Sequence, residues 1–260
     1  MSFTDDYNLQ TPIILSPMAG VCPVSLSVAV ANAGGMGSCG ALLMNKDQIA
    51  DWVNDMRSNS NGMFQLNTWI PDPEPFRDLK NESIIQDFLS KWGPAVPDLL
   101  EDLPKQDFAG QCEAMLKANP TVISSIMGLY PPEFVSQMKD RSIKWFATIT
   151  TVNEAIQAQK AGADAIVVQG IEAGGHRGSF IAENAQENSI GLFSLLPAVA
   201  DAVYIPIIAA GGIADGRGMA AALLLGASAV QVGTGFLRSP EAKIPKVWAE
   251  AMNESLPEDT

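Results

Sequence analysis

Apolar helices and apolar strands alternate along the chain. In three places an alanine-rich stretch ends at a glycine and a short run of small or β-branched apolar residues follows at once, within residues 28–41, 155–168 and 220–232. Glycine just after the last helical turn tolerates the left-handed backbone that ends a helix. The runs that follow lack polar alternation, which is typical of parallel strands covered on both faces. The pattern therefore predicts an α/β fold.

Eight segments have the length and composition of such strands, and most are followed by glycine or a small polar residue. We predict strands at residues 13–16, 36–39, 63–67, 122–126, 145–149, 165–168, 206–209 and 229–232. Eight consecutive parallel strands favour a closed (β/α)8 TIM barrel, and the 260 residues suit one such barrel, for which ~250 is typical. An open doubly wound sheet is the alternative.

Helix starts are recognisable as well. Thr151 and Glu154 have the spacing of a capping box, in which each residue bonds the backbone of the other. The spacing of the residues after them predicts a helix with one face formed by Val152, Ala155, Ile156 and Gln159. Asp215 is suited to cap the helix that precedes strand eight.

Residues 71–111 interrupt the alternation with six prolines, Pro71, Pro73, Pro75, Pro94, Pro97 and Pro104. The segment predicts an irregular excursion between strands three and four, with a short helix near residues 84–92. Long insertions after barrel strands often shape active sites. After strand eight, residues 246–252 have helical character.

Composition excludes several classes of protein. Hydrophobic residues make up 47% of the chain and charged residues only 17%, below the ~25% of an average domain. The net charge of −13 and the absence of a basic stripe argue against nucleic acid and anionic membranes as partners. Three scattered cysteines predict neither a metal site nor a disulfide framework. With a polar N-terminus and no long apolar run, we expect a soluble cytoplasmic protein.

The most informative segment is the loop of residues 169–178, directly after strand six. Its four glycines let the backbone approach a ligand closely, and successive backbone N–H groups in such a loop can bind an anion. His176, the only histidine of the chain, stands in this loop. Barrel enzymes keep their active sites at the carboxyl ends of the strands. An imidazole there is suited to act as a general base near neutral pH.

Glycine turns after the last two strands predict a phosphate site. Ala210, Gly211 and Gly212 follow strand seven, and Gly233 and Thr234 follow strand eight. Loops at these two positions commonly bind phosphate in barrels through backbone N–H groups.

Smaller signals come from two other strands. Met18, Ala19 and Gly20 follow strand one and suit a flat ring laid against the backbone, and Asn67 at the end of strand three offers donors and an acceptor. Cys22 and Cys39 are predicted to be buried and unreactive, because no second histidine exists to activate a thiol.

On these residues the chain resembles the nitronate monooxygenases, formerly called 2-nitropropane dioxygenases, over nearly its whole length. The specific element is the Glu-Ala-Gly-Gly-His-Arg-Gly loop of residues 172–178, whereas the glycine turns are shared with other FMN barrels. Further matching segments are residues 17–20, Asn67, residues 91–94, residues 150–152, Gln169, residues 210–212 and residues 233–234.

The resemblance implies an FMN-containing barrel that oxidises alkyl nitronates with O₂ to carbonyl compounds and nitrite. His176 would bind or deprotonate the nitro substrate. The remaining implied roles belong to the cofactor: Met18, Ala19, Gly20, Asn67 and Gln169 would touch the flavin, Gly174 and Gly175 would lie behind it, and Gly211, Gly212, Gly233 and Thr234, with Ala210 in the same turn, would hold the phosphate.

The same resemblance divides the chain into an FMN-binding barrel, residues 1–237, and the beginning of a helical lid, residues 238–260. Because members of the family continue with a lid and a final barrel helix, we expect a shortened chain. Two alternatives stay open at this point. One is an FMN-dependent NAD(P)H reductase that acts on enoyl-acyl-carrier-protein or quinone, and the other is a catalytically silent flavin-binding protein. The physiological nitro compound and the oligomeric state are open too.

Overall fold

The structure is a computed structural model that describes residues 2–73, 78–94 and 107–256. Eight strands alternate with helices along the chain. The strands are β1 (Ile13–Leu15), β2 (Gly37–Gly40), β3 (Phe64–Trp69), β4 (Val122–Ile126), β5 (Lys144–Ile149), β6 (Ala165–Gln169), β7 (Ile207–Ala210) and β8 (Ala229–Val232). Each predicted strand is present, with ends that differ from the prediction by no more than two residues.

The strands form one parallel sheet in the order β1-β8-β7-β6-β5-β4-β3-β2. Ile14 also bridges Met36 in parallel, so that β1 meets the strand next to it in sequence and the sheet closes on itself. The result is a (β/α)8 TIM barrel, and the open doubly wound sheet is wrong because its ends would not meet. Closure also brings the carboxyl ends of all eight strands to one face.

Helices alternate with the strands, and several begin where their caps predict. They are α1 (Phe3–Asp6), α2 (Val24–Asn32), α3 (Lys46–Asn59), α4 (Leu79–Leu89), α5 (Phe108–Ala118), α6 (Pro132–Asp140), α7 (Val152–Ala161), α8 (Leu192–Ala200), α9 (Gly216–Leu224), α10 (Thr234–Leu237) and α11 (Lys246–Glu254). Thr151 and Glu154 make the predicted capping box at α7, and Asp215 accepts from two backbone N–H groups at α9. Gly162 ends α7 at φ 100°.

Two helix predictions need correction. Ile156 of α7 is 44% exposed, and Glu154 is buried in its place beside Ala155 and Ala158. The apolar spacing was misleading because Glu154 has hydrogen-bond partners that lie far from it in sequence. The helix predicted near residues 84–92 is α4, which begins earlier because Asp78 accepts from the backbone N–H groups of Lys80 and Asn81.

The excursion predicted at residues 71–111 is described only in part, whereas the helix predicted after strand eight is described in full. Pro75, Pro97 and Pro104 of the predicted excursion lie outside the described residues. The predicted helix at residues 246–252 is α11, two residues longer than expected. The division into a barrel and the start of a lid stays a prediction. Every helix within the described ranges is too short or too polar to span a bilayer.

The inside of the barrel is apolar at one end and polar at the other. At the amino ends of the strands, Val122, Phe146 and Ala165 belong to a buried apolar cluster. The short helix α1 closes this end, since Phe3 and Tyr7 pack on Phe146 with ring centroids 6.1 and 5.2 Å away. One pleat further along the strands the buried side chains are polar: Gln65, Asn67, Ser124, Thr148, Gln169 and Gln231. Polar groups this deep favour a ligand at the carboxyl ends of the strands.

Candidate functional site

The glycine loops after β6, β7 and β8 lie against one another at the carboxyl face. A Cβ atom added to Gly174 would stand 3.0 Å from the Thr234 hydroxyl, and one added to Gly211 would stand 3.0 Å from the Ala173 backbone nitrogen. Gly211 and Gly212 also adopt φ values of 116° and 65°, which L-residues with side chains rarely adopt. The sequence therefore needs glycine here both for space and for backbone conformation.

The turn after β7 has the donors that an anion needs. Within the described residues, the backbone N–H groups of Gly211 and Gly212 make no hydrogen bond to the protein. Successive free N–H groups in a turn of this kind form an anion-binding concavity. The predicted phosphate residues Gly233 and Thr234 follow the neighbouring strand β8, so that the two halves of the predicted site are adjacent.

The loop after β1 borders the same face. A Cβ atom added to Gly233 would stand 3.5 Å from the Met18 sulfur, and one added to Gly40 at the end of β2 would stand 2.7 Å from the Ala19 nitrogen. Gly20 follows at φ 79° with open space beside it. The segment 18–20 thus lies between the ends of β2 and β8.

Gln169, the last residue of β6, fixes the backbone on both sides of Arg177. Its side-chain Nε2 donates to the His176 carbonyl at 2.9 Å, and its Oε1 accepts from the Gly178 N–H at 2.7 Å. Gln169 is itself buried. Two hydrogen bonds from one rigidly placed amide hold the His176 backbone more firmly than either could alone.

The His176 side chain is exposed at the barrel mouth and lies against Trp69. The two ring centroids are 4.7 Å apart at an interplanar angle of 62°, an edge-to-face contact. Trp69 ends β3, two residues after Asn67, and sequence reasoning missed it. Its place at a strand end on the same side as Asn67 was the available signal, because alternate residues of a strand face the same side.

Asn67 lies deeper than the glycine loops. It is buried and its Nδ2 donates to the Ser124 hydroxyl at 3.0 Å. Beside it, Gln65 Nε2 donates to Gln231 Oε1 at 3.2 Å and to the Leu15 carbonyl at 3.3 Å. Asn67 was predicted as a site residue, but Gln65 and Gln231 were not, because a glutamine within a strand has no distinctive local pattern.

Two buried polar atoms in this layer of the barrel, an amide oxygen and a hydroxyl, have no hydrogen-bond partner among the described residues. They are Gln65 Oε1 and the hydroxyl oxygen of Ser38, and the two residues are register partners in β2 and β3. A buried polar atom without a partner costs free energy, so a bound group with donors would stabilise this end of the barrel. A flavin, with a polar heterocycle and a phosphate, fits the unpaired polar atoms, the free N–H groups and the glycine cradle.

Charged residues surround the His176 loop. Arg177 donates to the Gly170 carbonyl at 2.7 Å, and Glu172 accepts from the Leu192 N–H at 2.9 Å. Burial lowers the pKa of the Arg177 guanidinium, and the negative charges of Glu154 and Glu172 partly offset that effect. Arg177 and Glu172 therefore tie the loop to the barrel.

The cysteines are not candidates for chemistry. Cys39 is buried and Cys22 half-buried. Burial raises the pKa of Cys22 to about 11 and raises that of Cys39 as well. Both thiols are therefore protonated near neutral pH and poor nucleophiles, as predicted. Within the described residues, no group of three or more His, Cys, Asp or Glu side chains could bind a metal ion.

The comparisons with known proteins agree on one family. The sequence matches the family model for nitronate monooxygenase over residues 2–260. A probable nitronate monooxygenase of Staphylococcus aureus (strain JH9) is 35% identical over 260 residues, which cover 99% of this chain and 73% of the relative. Nitroalkane oxidase from Streptomyces ansochromogenes superposes with a TM-score of 0.84 at 30% identity, over 98% of this chain and 73% of that one.

A second solved structure broadens the comparison. FabK from Thermotoga maritima superposes with a TM-score of 0.75 at 29% identity, over 97% of this chain and 67% of that one. Solved structures of differently named proteins therefore share this fold. The family model and the sequence relatives both point to nitronate monooxygenase. The chain belongs to the nitronate monooxygenase family of flavin-dependent oxidoreductases.

Proposed function

We propose that this protein binds FMN and oxidises small alkyl nitronates with O₂, producing carbonyl compounds and nitrite. One observation carries the proposal. The only histidine of the chain stands at the barrel mouth, held by Gln169 and packed on Trp69, beside loops that suit a flavin. Relatives named nitronate monooxygenase and nitroalkane oxidase support oxidation of a nitro compound as the reaction class.

FMN is the proposed flavin because the phosphate donors lie in one place. Gly211, Gly212, Gly233 and Thr234, with Ala210 before them, would hold a single phosphate at the ends of β7 and β8. FAD would need donors for a second phosphate and room for an adenine. Met18, Ala19, Gly20, Asn67 and Gln169 would contact the ring, and Gly174 and Gly175 would lie behind it.

His176 is the proposed catalytic residue. A bound flavin would supply the electron acceptor, and the chain's own residues would bind and orient the substrate. The imidazole is exposed toward the mouth, where it can donate to a nitro oxygen or accept the α-proton of a nitroalkane. Trp69 forms one wall beside it and limits the room for the substrate's alkyl group.

An anaerobic spectrum of the purified holoprotein tests the proposal. Propyl-2-nitronate should bleach the flavin, and admitting air should restore the colour and release nitrite. Bleaching by NADH or NADPH, with none by the nitronate, would instead support the reductase alternative. No bleaching by either would indicate a silent flavin-binding protein. Heat release followed by chromatography identifies the flavin, and recovery of FAD would overturn the FMN assignment.

A further inference from the structure

The carboxylate of Glu154 is a buried junction between α7 and the His176 loop. Only 6% of the residue is exposed. Its Oε2 accepts from the Thr150 N–H at 2.7 Å, from the Thr150 hydroxyl at 2.9 Å and from the Thr151 N–H at 3.1 Å. These three hydrogen bonds attach the turn between β5 and α7 to one carboxylate oxygen.

The other oxygen of Glu154 reaches the His176 loop. Oε1 accepts from the Phe180 N–H at 2.8 Å, across 26 residues of sequence. It also lies 3.4 Å from the Ser179 hydroxyl, 25 residues away, whose one proton is shared with the nearer Ile181 carbonyl at 3.0 Å. Ser179 and Phe180 follow His176 by three and four residues. A helix cap requires only the bonds to the neighbouring turn, so the bonds to Ser179 and Phe180 serve something else.

These contacts complete the attachment of the loop. Gln169 holds the His176 carbonyl and the Gly178 N–H from the β6 side. Glu154 holds Ser179 and Phe180 from the β5 side. Residues 176–180 therefore cannot shift without breaking one of these hydrogen bonds. Leaving a buried carboxylate without its donors is costly, which makes this anchor stiff.

We propose that Glu154 is a positioning residue for catalysis, one that holds the His176 loop so that the imidazole stays against Trp69. It acts through the loop backbone and does not touch the substrate. The kinetic part of this inference rests on the proposed function. The structural part, the placement of the His176 ring, can be measured without turnover.

The single histidine makes that measurement direct. Protein labelled with ¹⁵N- and ¹³C-histidine should show one set of imidazole signals, all from His176. The ring current of Trp69 shifts them, and Trp69→Leu supplies the reference without that shift. Spectra of the oxidised holoprotein are recorded over a range of pH, so that a change of protonation is not mistaken for movement.

Glu154→Gln keeps the size of the side chain but replaces one carboxylate oxygen by an amide NH₂ group. That NH₂ group is a donor, so it cannot accept the hydrogen bonds that the oxygen accepts. We expect the imidazole signals of Glu154→Gln to move toward the Trp69→Leu positions. Asp164→Asn is the matched control, because Asp164 accepts from the Trp145 N–H in the same sector at the opposite end of the barrel. Its signals should stay at the wild-type positions.

Kinetics supply the second readout. Glu154→Gln should lower kcat on a nitroalkane by up to about 100-fold, the cost of a small misplacement, with flavin content unchanged. Asp164→Asn should keep kcat within about twofold of wild type. If Glu154→Gln does not fold, Glu154→Asp keeps the charge but shortens the side chain, which draws the carboxylate away from the Phe180 N–H and should shift the signals part of the way.

The outcomes separate this inference from the proposed function. Unmoved imidazole signals in folded Glu154→Gln, or equal movement in Asp164→Asn, overturn the positioning role. In the milder variant, unmoved signals in folded Glu154→Asp count against the positioning role in the same way. Moved signals in a protein that has no activity on any nitro compound would leave the anchor standing and overturn the proposed reaction alone.

Discussion

His176 stands alone as an imidazole in this chain, so its replacement has no internal substitute. A nitroalkane must lose its α-proton before oxidation, whereas a nitronate arrives already deprotonated. We expect His176→Asn to lower kcat/KM on the nitroalkane by about 10²–10⁴-fold, the usual range for general base catalysis, and on the nitronate by less. Flavin content should stay near wild type. Equal losses on both substrates would assign His176 to binding, and unchanged rates would remove it from the mechanism.

Trp69 is the residue that contacts the imidazole. Edge-to-face aromatic contacts contribute about 0.5–1.5 kcal/mol beyond burial, so losing this one should lower kcat/KM by about twofold to tenfold. Trp69→Leu removes the aromatic face, whereas Trp69→Phe keeps one and serves as the control. We also expect Trp69→Leu to accept longer nitronates relative to propyl-2-nitronate. Equal chain-length profiles for the two variants would argue against Trp69 as a wall of the site.

Among the structural elements, the turn between β7 and α9 is the most demanding. Gly211→Ala would place a side chain at φ 116° and a Cβ atom 3.0 Å from the Ala173 nitrogen. Such backbone strain costs about 1–3 kcal/mol, which should weaken flavin binding and lower the melting temperature. Flavin titration by fluorescence and thermal melting measure both effects.

Gly216→Ala in the same turn-helix unit is the control for that prediction. Gly216 is the first residue of α9, and an added Cβ there would meet no atom within 4 Å. Alanine in a helix is more stable than glycine by about 0.5–1 kcal/mol, so this variant should melt at or above the wild-type temperature. Loss of flavin in both variants would show that the turn after β7 has no special role.

At the scale of the whole molecule, thiols that folding removes from water make the folded state less stable at alkaline pH. Burial raises the pKa of Cys22 from the ordinary 9.0 to about 11 and that of Cys112 to about 12. In the unfolded chain the thiols ionise near pH 9, so above that pH the folded state holds more protons. The stability that comes from neutral thiols is therefore complete below pH 9 and is lost as the pH rises through 9 toward 12.

Melting temperatures between about pH 8 and about pH 10.5 check this expectation. The wild type should lose several degrees over that range, and the Cys22→Ala/Cys112→Ala variant should lose fewer. The slope is the readout, since alanine at these buried positions also changes the starting stability. Parallel slopes for the two proteins would mean that Cys22 and Cys112 do not contribute to the alkaline loss of stability.

For the molecule as a whole, local patterns in the sequence predicted most of the architecture. Strand positions, the caps at Thr151 and Asp215, and the alternation that indicates a barrel depend on neighbours a few residues apart, where backbone and side-chain preferences act directly. The glycine turns at Gly211 and Gly212 were recognisable for the same reason. The prediction for Ile156 was wrong, because Glu154 is buried instead and bonds the Phe180 N–H, which is distant in sequence.

What the sequence by itself determined is therefore the set of elements, their order and the loop that contains His176. Only the tertiary structure decided which residues meet there. Trp69 is 107 positions from His176, and Glu154 is 26 positions from Phe180. Their contacts exist because the barrel closes and brings the ends of β3, β5 and β6 to one face. The alternation of elements predicted closure, but the strand register that decides which side chains meet is a property of the pairing of all eight strands.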